Sequence, residues 1–345
     1  MILFSYILQH LLGIFLILNK KYNTRIMISY CILSLTIIIF IFGSDTYDIL
    51  SYSKSINSPN QFEFLFAKNL EILKYLGLES RTIIYFVQLE LLILLAISAF
   101  LISKKDFLII FAILSISIFY FLTVFNNLRQ GFSCLFLLFA FLFSKNKKFF
   151  LTLVMMFIAQ LFHKSSIFFI IIIFSIFLIC DVKNKKDFFR VNDFFKYFFI
   201  LFPLCTLSLA LYFKLHQYID LPFLGYFLDT RTPHYSRTGI IIKTLMVILV
   251  YVISEIIIDI EIKIEKIKFE KFFNELRLYR FFIINFIIIT YFFQLYDLQS
   301  RFLFFYWFLE ILMCLKAIQN KKFAFFNITI ILTYVFAINA INQVV

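Results

Sequence analysis

Residues 82–102 read TIIYFVQLELLILLAISAFLI, twenty-one positions with one charged side chain, Glu90. A helix of that length rises about 31 Å at ~1.5 Å per residue, close to the roughly 30 Å hydrocarbon thickness of a bilayer. The pattern recurs along the chain. Further apolar runs lie near 2–18, 26–43, 107–125, 128–143, 149–162, 165–180, 194–213, 239–258, 278–296, 301–319 and 323–342. The expected fold is therefore an all-α integral membrane protein, a polytopic bundle of about twelve transmembrane helices spanning 1–345 as a single domain.

Composition agrees. The 345 residues are 63% apolar and 15% charged, with a mean hydropathy of +0.95. Soluble domains are nearer half apolar and about a quarter charged. The net charge of +13 would suggest nucleic acid in a soluble protein. Here the cations crowd into short loops, so no nucleic-acid partner is expected. Five cysteines fall in or beside apolar runs without a C-x-x-C pair, a pattern that fits packing rather than zinc or disulfides. Residues 2–18 lack a basic leader and a cleavage site and are taken as a retained span.

Charge sorts the loops into two sets. Alternate loops near 19–25, 103–106, 144–148, 181–193, 259–280 and 320–322 hold twenty Lys and Arg, while the intervening set holds ten. Cytoplasmic loops carry the excess of cations, which directs both termini outward. The outer face then owns two long loops, 44–81 and 214–238; the loop at 259–277 is cytoplasmic. Within 44–81, Phe62, Leu65, Phe66, Leu70, Leu73 and Leu76 recur at helical spacing, the mark of an interfacial helix.

Four short motifs cluster on the outer side. They are Gly-Ser-Asp-Thr-Tyr at 43–47, Asn-Asn-Leu-Arg-Gln-Gly at 126–131, Phe-His-Lys-Ser-Ser at 162–166, and Asp297 with Ser300 and Arg301. Each has an ordinary explanation when taken alone. Asp45 can cap a helix, Arg129 can snorkel to headgroups, His163 can be a surface residue, and Arg301 can pair with Asp297. Taken together, a carboxylate, an imidazole and two guanidiniums at one membrane depth suit an anionic phosphate substrate and proton transfer. Arg grips phosphate with a planar fork, and His exchanges protons near neutral pH. A Gly-rich phosphate loop and carboxylate metal clusters are both missing from the sequence.

In the order of these motifs the chain resembles the EpsG family of exopolysaccharide polymerases, relatives of Wzy-type O-antigen polymerases. The likeness covers Gly43 and Asp45 after the second run, Arg129-Gln130, Phe162-His163 with Ser165-Ser166, and the late Arg301. An aromatic residue often directly follows the Asp in that family, whereas here Thr46 does and Tyr47 comes next. The resemblance implies a GT-C-like glycosyltransferase in the bacterial plasma (inner) membrane, metal-independent and without a cofactor. It would join undecaprenyl-pyrophosphate-linked glycans, donor and acceptor, with a chain-length regulator and a flippase as partners. On this reading Arg129 and Arg301 hold the pyrophosphate, and His163 or Asp45 is the general base. Gln130, Asp297 and Lys164 complete the substrate contacts, and Arg231 on loop 214–238 helps to cover the site. A flippase or other transporter of lipid-linked oligosaccharide is the main alternative, and a membrane acyltransferase a second. A reporter fused within 183–190 should report a cytosolic position, and one fused near 58 an external position. The opposite pattern would invert the topology.

Overall fold

The computed structural model describes residues 52, 54–58, 62–104, 107, 110–111, 114, 128–145, 148–167, 169–170, 237–265, 271–292 and scattered positions from 299 to 313. Among them the regular elements are helices: α1 (Phe64–Tyr75), α2 (Ser80–Ile102), α3 (Leu128–Lys145), α4 (Phe149–Phe162), α5 (Arg237–Glu265) and α6 (Lys271–Phe292). The chain forms two compact units, 1–170 with 333–345, and 171–332. The expected spans 2–18, 26–43, 194–213 and 323–342 lie outside the described residues, as do most of 107–125 and of 165–180.

In the first unit α2 is the helix anticipated from 82–102. It is the one helix among the described residues long and apolar enough to cross a membrane; Leu128–Ser144 and Phe149–Phe162 are apolar but shorter. Its buried side carries Ile84, Val87, Leu91, Leu95 and Ala99, and its exposed side Phe86, Ile93, Ile97 and Phe100. Both sides are apolar, as expected of a helix with protein on one side and lipid on the other. Ser98 hides its hydroxyl by donating to the Leu94 carbonyl at 2.8 Å.

α1 realises the amphipathic segment of loop 44–81. Phe66, Ala67, Leu70 and Leu73 are buried, and α1 packs on α4 and α2. Gly77 ends it with φ +77°, its N–H donating to the Lys74 carbonyl at 2.9 Å. A left-handed residue after a helix accepts glycine without steric cost. Asn69 donates across to Glu90 of α2 at 2.5 Å, which gives the one carboxylate of that apolar run a partner. α3 lies against α4 and α2.

In the second unit α5 and α6 pack together. The segment 259–277, expected on the cytoplasmic side and with a mixture of Glu, Lys and Ile that suits a solvated surface helix, is helical from both sides, with α5 reaching Glu265 and α6 starting at Lys271. Arg277 and Arg280, counted above among basic loop positions, are in fact buried. One turn apart on α6, they face Glu255 and Asp259, one turn apart on α5. Arg277 donates to Glu255 at 2.8 Å and to Asp259 at 2.9 Å. Arg280 reaches Glu255 at 3.2 Å and Glu310 at 2.7 Å, and also donates to Ser254. Tyr251 and Tyr306 flank its guanidinium at 5.3 and 5.8 Å. A buried cation persists only where such partners replace water. Replacing Glu255 with alanine should lower stability by about 3 kcal/mol, read as a fall in the thermal midpoint of the detergent-solubilised protein.

Candidate functional site

Three helix ends meet in the first unit. On α1 the positions Glu63, Phe66, Leu70 and Leu73 share one face by helical spacing. On α3 the corresponding set is Arg129, Phe132 and Phe136, and on α4 it is Thr152, Met156, Ala159 and Phe162. Phe162 stacks on Phe132 at 4.7 Å, nearly parallel, and on Phe136 at 5.4 Å. Phe66 meets the Phe132 edge at 6.4 Å. Aromatic pairs of this kind are worth about 0.5–1.5 kcal/mol beyond their area. They bind the start of α3 to the end of α4 and the start of α1.

The polar residues sit at the tip of this aromatic layer. His163 ends α4 in an extended conformation, its N–H bonded to the Ala159 carbonyl at 3.1 Å. Its own carbonyl accepts the Ser166 hydroxyl at 2.6 Å and the Ser166 N–H at 3.1 Å. Ser166 of the Phe-His-Lys-Ser-Ser motif thus tightens the turn that follows His163, and His163, Ser165 and Ser166 are all buried.

One carboxylate joins the cluster. Glu63 Oε1 lies 2.9 Å from His163 Nδ1, and Glu63 Oε2 accepts from Arg129 Nη1 at 2.6 Å. Arg129 Nε lies 3.5 Å from the Tyr52 hydroxyl, and its guanidinium sits over the rings of Phe62 (5.2 Å) and Tyr52 (5.8 Å). Glu63 is also the N-cap of α1, yet its side chain makes no capping bond. It reaches instead to residues 66 and 100 positions away in sequence.

Burial by itself would raise the Glu63 pKa. The hydrogen bond with His163 and the charge of Arg129 outweigh it and hold the carboxyl below the usual carboxylate range. An ionised Glu63 needs a donor at His163 Nδ1, which makes Nε2 the basic nitrogen of the neutral ring. The arrangement can therefore take up a proton and present a cation, both anchored to the same carboxylate.

Of the residues singled out in the sequence, His163 and Arg129 come together. Arg129 does not snorkel: it packs against two rings and pairs with Glu63. Gln130 is buried on α3, whereas Lys164 is exposed beside His163. Arg301 is buried and helical within the second unit. Asp45, Asp297 and Arg231 lie outside the described residues. Among the described residues no three His, Cys, Asp or Glu side chains gather as metal ligands.

Glu63 was missed. In the sequence it passed as one of several carboxylates offsetting lysines in loop 44–81. Its signal was positional, because it heads the apolar stripe that continues through Phe66, Leu70 and Leu73. A charge in register with a buried face needs a buried partner.

The described residues of the first unit thus form an apolar helical scaffold carrying a buried imidazole–carboxylate–guanidinium cluster. The chain belongs to the EpsG family, whose model matches residues 44–344. That family is membrane-associated, with a polysaccharide polymerase type of function. No curated protein and no solved structure matches the chain.

Because the Glu63 pKa is depressed on folding, its ionised form stabilises the fold fully above its unfolded value of ~4.3, and that contribution is lost as pH falls further. The thermal midpoint of the parent protein should exceed that of Glu63→Gln at about pH 7. The margin should shrink below about pH 4.

Proposed function

We propose that this protein is a multi-pass glycosyltransferase that polymerises undecaprenyl-pyrophosphate-linked repeat units at the outer face of the bacterial plasma membrane. The observation that carries this reading is the meeting of His163 and Arg129 at one buried carboxylate, in a chain of the EpsG family. The remaining apolar runs complete the bundle of about twelve spans, GT-C-like in its logic, with the site at the outer helix ends.

Arg129 engages Glu63 and Tyr52 through Nη1 and Nε, and its Nη2 has no hydrogen-bond partner among the described residues. That edge is the one offered to the donor diphosphate. Charge that develops on the leaving group is stabilised by a cation already oriented for it. His163 takes the proton of the acceptor hydroxyl as that oxygen attacks the anomeric carbon. Gln130 and Lys164 are assigned to sugar or phosphate oxygens, with Asp45 as a further contact. The chemistry asks for no metal or cofactor.

Transport receives less support. A carrier would line ionisable groups along a path near the midplane. Instead Glu90 is bonded to Asn69, and Glu255 and Glu310 both face Arg280.

His163→Ala and Arg129→Ala should each abolish polymer elongation at normal protein abundance, leaving single repeat units on lipid exposed at the outer leaflet. Units trapped at the inner leaflet would identify a flippase. Elongation surviving both changes would remove the site from the reaction.

A further inference from the structure

The roles given to Arg129 and His163 leave Glu63 unassigned, yet among the described residues it bonds to both. We propose that Glu63 is the positioning residue of the transfer step, fixing His163 as its Nδ1–H tautomer while holding the Arg129 guanidinium beside it. This rests on the reading of His163 as the general base.

The geometry is specific. Each carboxylate oxygen has its own partner, Oε1 for the imidazole at 2.9 Å and Oε2 for the guanidinium at 2.6 Å. The Glu63 side chain is almost fully buried, at 8% exposure. As an N-cap its simplest task would be to accept a backbone N–H of α1, and it does not do so. Its side chain is committed to the two distant residues.

The charges balance through the step. The acceptor hydroxyl gives its proton to Nε2 as its oxygen bonds to the anomeric carbon. The bond from that carbon to the phosphate oxygen breaks, and its electron pair leaves with the polyprenyl diphosphate. The cluster passes from neutral (Arg129 positive, Glu63 negative) to +1 as the leaving diphosphate gains one negative charge. Glu63 stabilises the imidazolium as it forms, as the carboxylate does in a serine-protease triad. Among the described residues, the ionisable groups on the Glu63 side of His163 are Glu63 from the start of α1 and, across that carboxylate, Arg129 from α3 with Tyr52 against it. On its own side, Lys164 follows in the chain and is exposed.

The experiment uses the full chain in phospholipid nanodiscs. Elongation is followed with the lipid-linked repeat unit extracted from cells that lack the polymerase, and anion binding with undecaprenyl diphosphate. Glu63→Gln should lower the elongation rate by about 10²–10⁴-fold while undecaprenyl diphosphate affinity stays within about threefold. The acidic limb of its pH–rate profile should move to lower pH, because an imidazole without its carboxylate is a weaker base. Glu63→Asp keeps the charge but withdraws it by one methylene. It should recover part of the rate and return the limb towards its original position.

A Glu63→Gln rate equal to the parent's would overturn the proposal, as would a rate loss with the limb unmoved in both variants, which marks a purely structural residue. If Glu63→Gln fails to accumulate, Glu63→Asp decides: a partial rate with the limb retained supports the role, and a rate no better than Glu63→Ala refutes it. The proposal and the reading beneath it fail differently. An active Glu63→Gln beside an inactive His163→Ala ends only the positioning role, whereas an active His163→Ala ends the assignment of the base.

Discussion

A carboxylate withdrawn from water is stable only if the protein supplies what water supplied, and much of the first unit follows from meeting that demand at Glu63. Both of its oxygens are satisfied, one by an imidazole and one by a guanidinium. Those partners come from the end of α4 and the start of α3. The carboxylate therefore settles where three helix ends must lie. Backbone dipoles add to this, since an anion is favoured at the start of α1 and a cation at the end of α4. The aromatic layer beneath, Phe66, Phe132, Phe136 and Phe162, keeps water out and so raises the strength of each polar contact above it.

The second unit obeys the same rule with a different outcome. Arg277 and Arg280 share Glu255, with Asp259 paired to Arg277, Glu310 paired to Arg280, and Ser254 accepting a further donor. Here guanidiniums and carboxylates pair with one another, and two tyrosines flank Arg280. Such a network stitches α5 to α6. Around Glu63, by contrast, the partners are an imidazole, a group able to gain or lose a proton, and a guanidinium whose Nη2 has no hydrogen-bond partner among the described residues. The difference between a structural charge cluster and a chemical one lies in what its members can still do once paired.

Much of the architecture was legible because lipid and water impose separate demands on every turn of helix. The runs at 82–102, 128–143 and 149–162 match α2, α3 and α4 to within two residues at each end. The stripe through Phe66, Leu70 and Leu73 announced α1, and His163 and Arg129 stood out as polar groups at apolar helix ends. Arg277 and Arg280 were harder to place. A cation near the end of an apolar run reads the same whether water or a carboxylate one helix away neutralises it.

The amino-acid sequence by itself determined the helical class and the family. Apolar periodicity and motif order are local properties, written within a few turns of chain. Only the tertiary structure decided that Glu63 is the residue joining the imidazole to the guanidinium. That bond spans 66 and 100 residues of sequence, and no local pattern records which of several loop carboxylates a fold will choose to bury. The choice belongs to packing, because the stripe that carries Phe66 into the aromatic layer carries Glu63 in with it, and burial then compels the pairing.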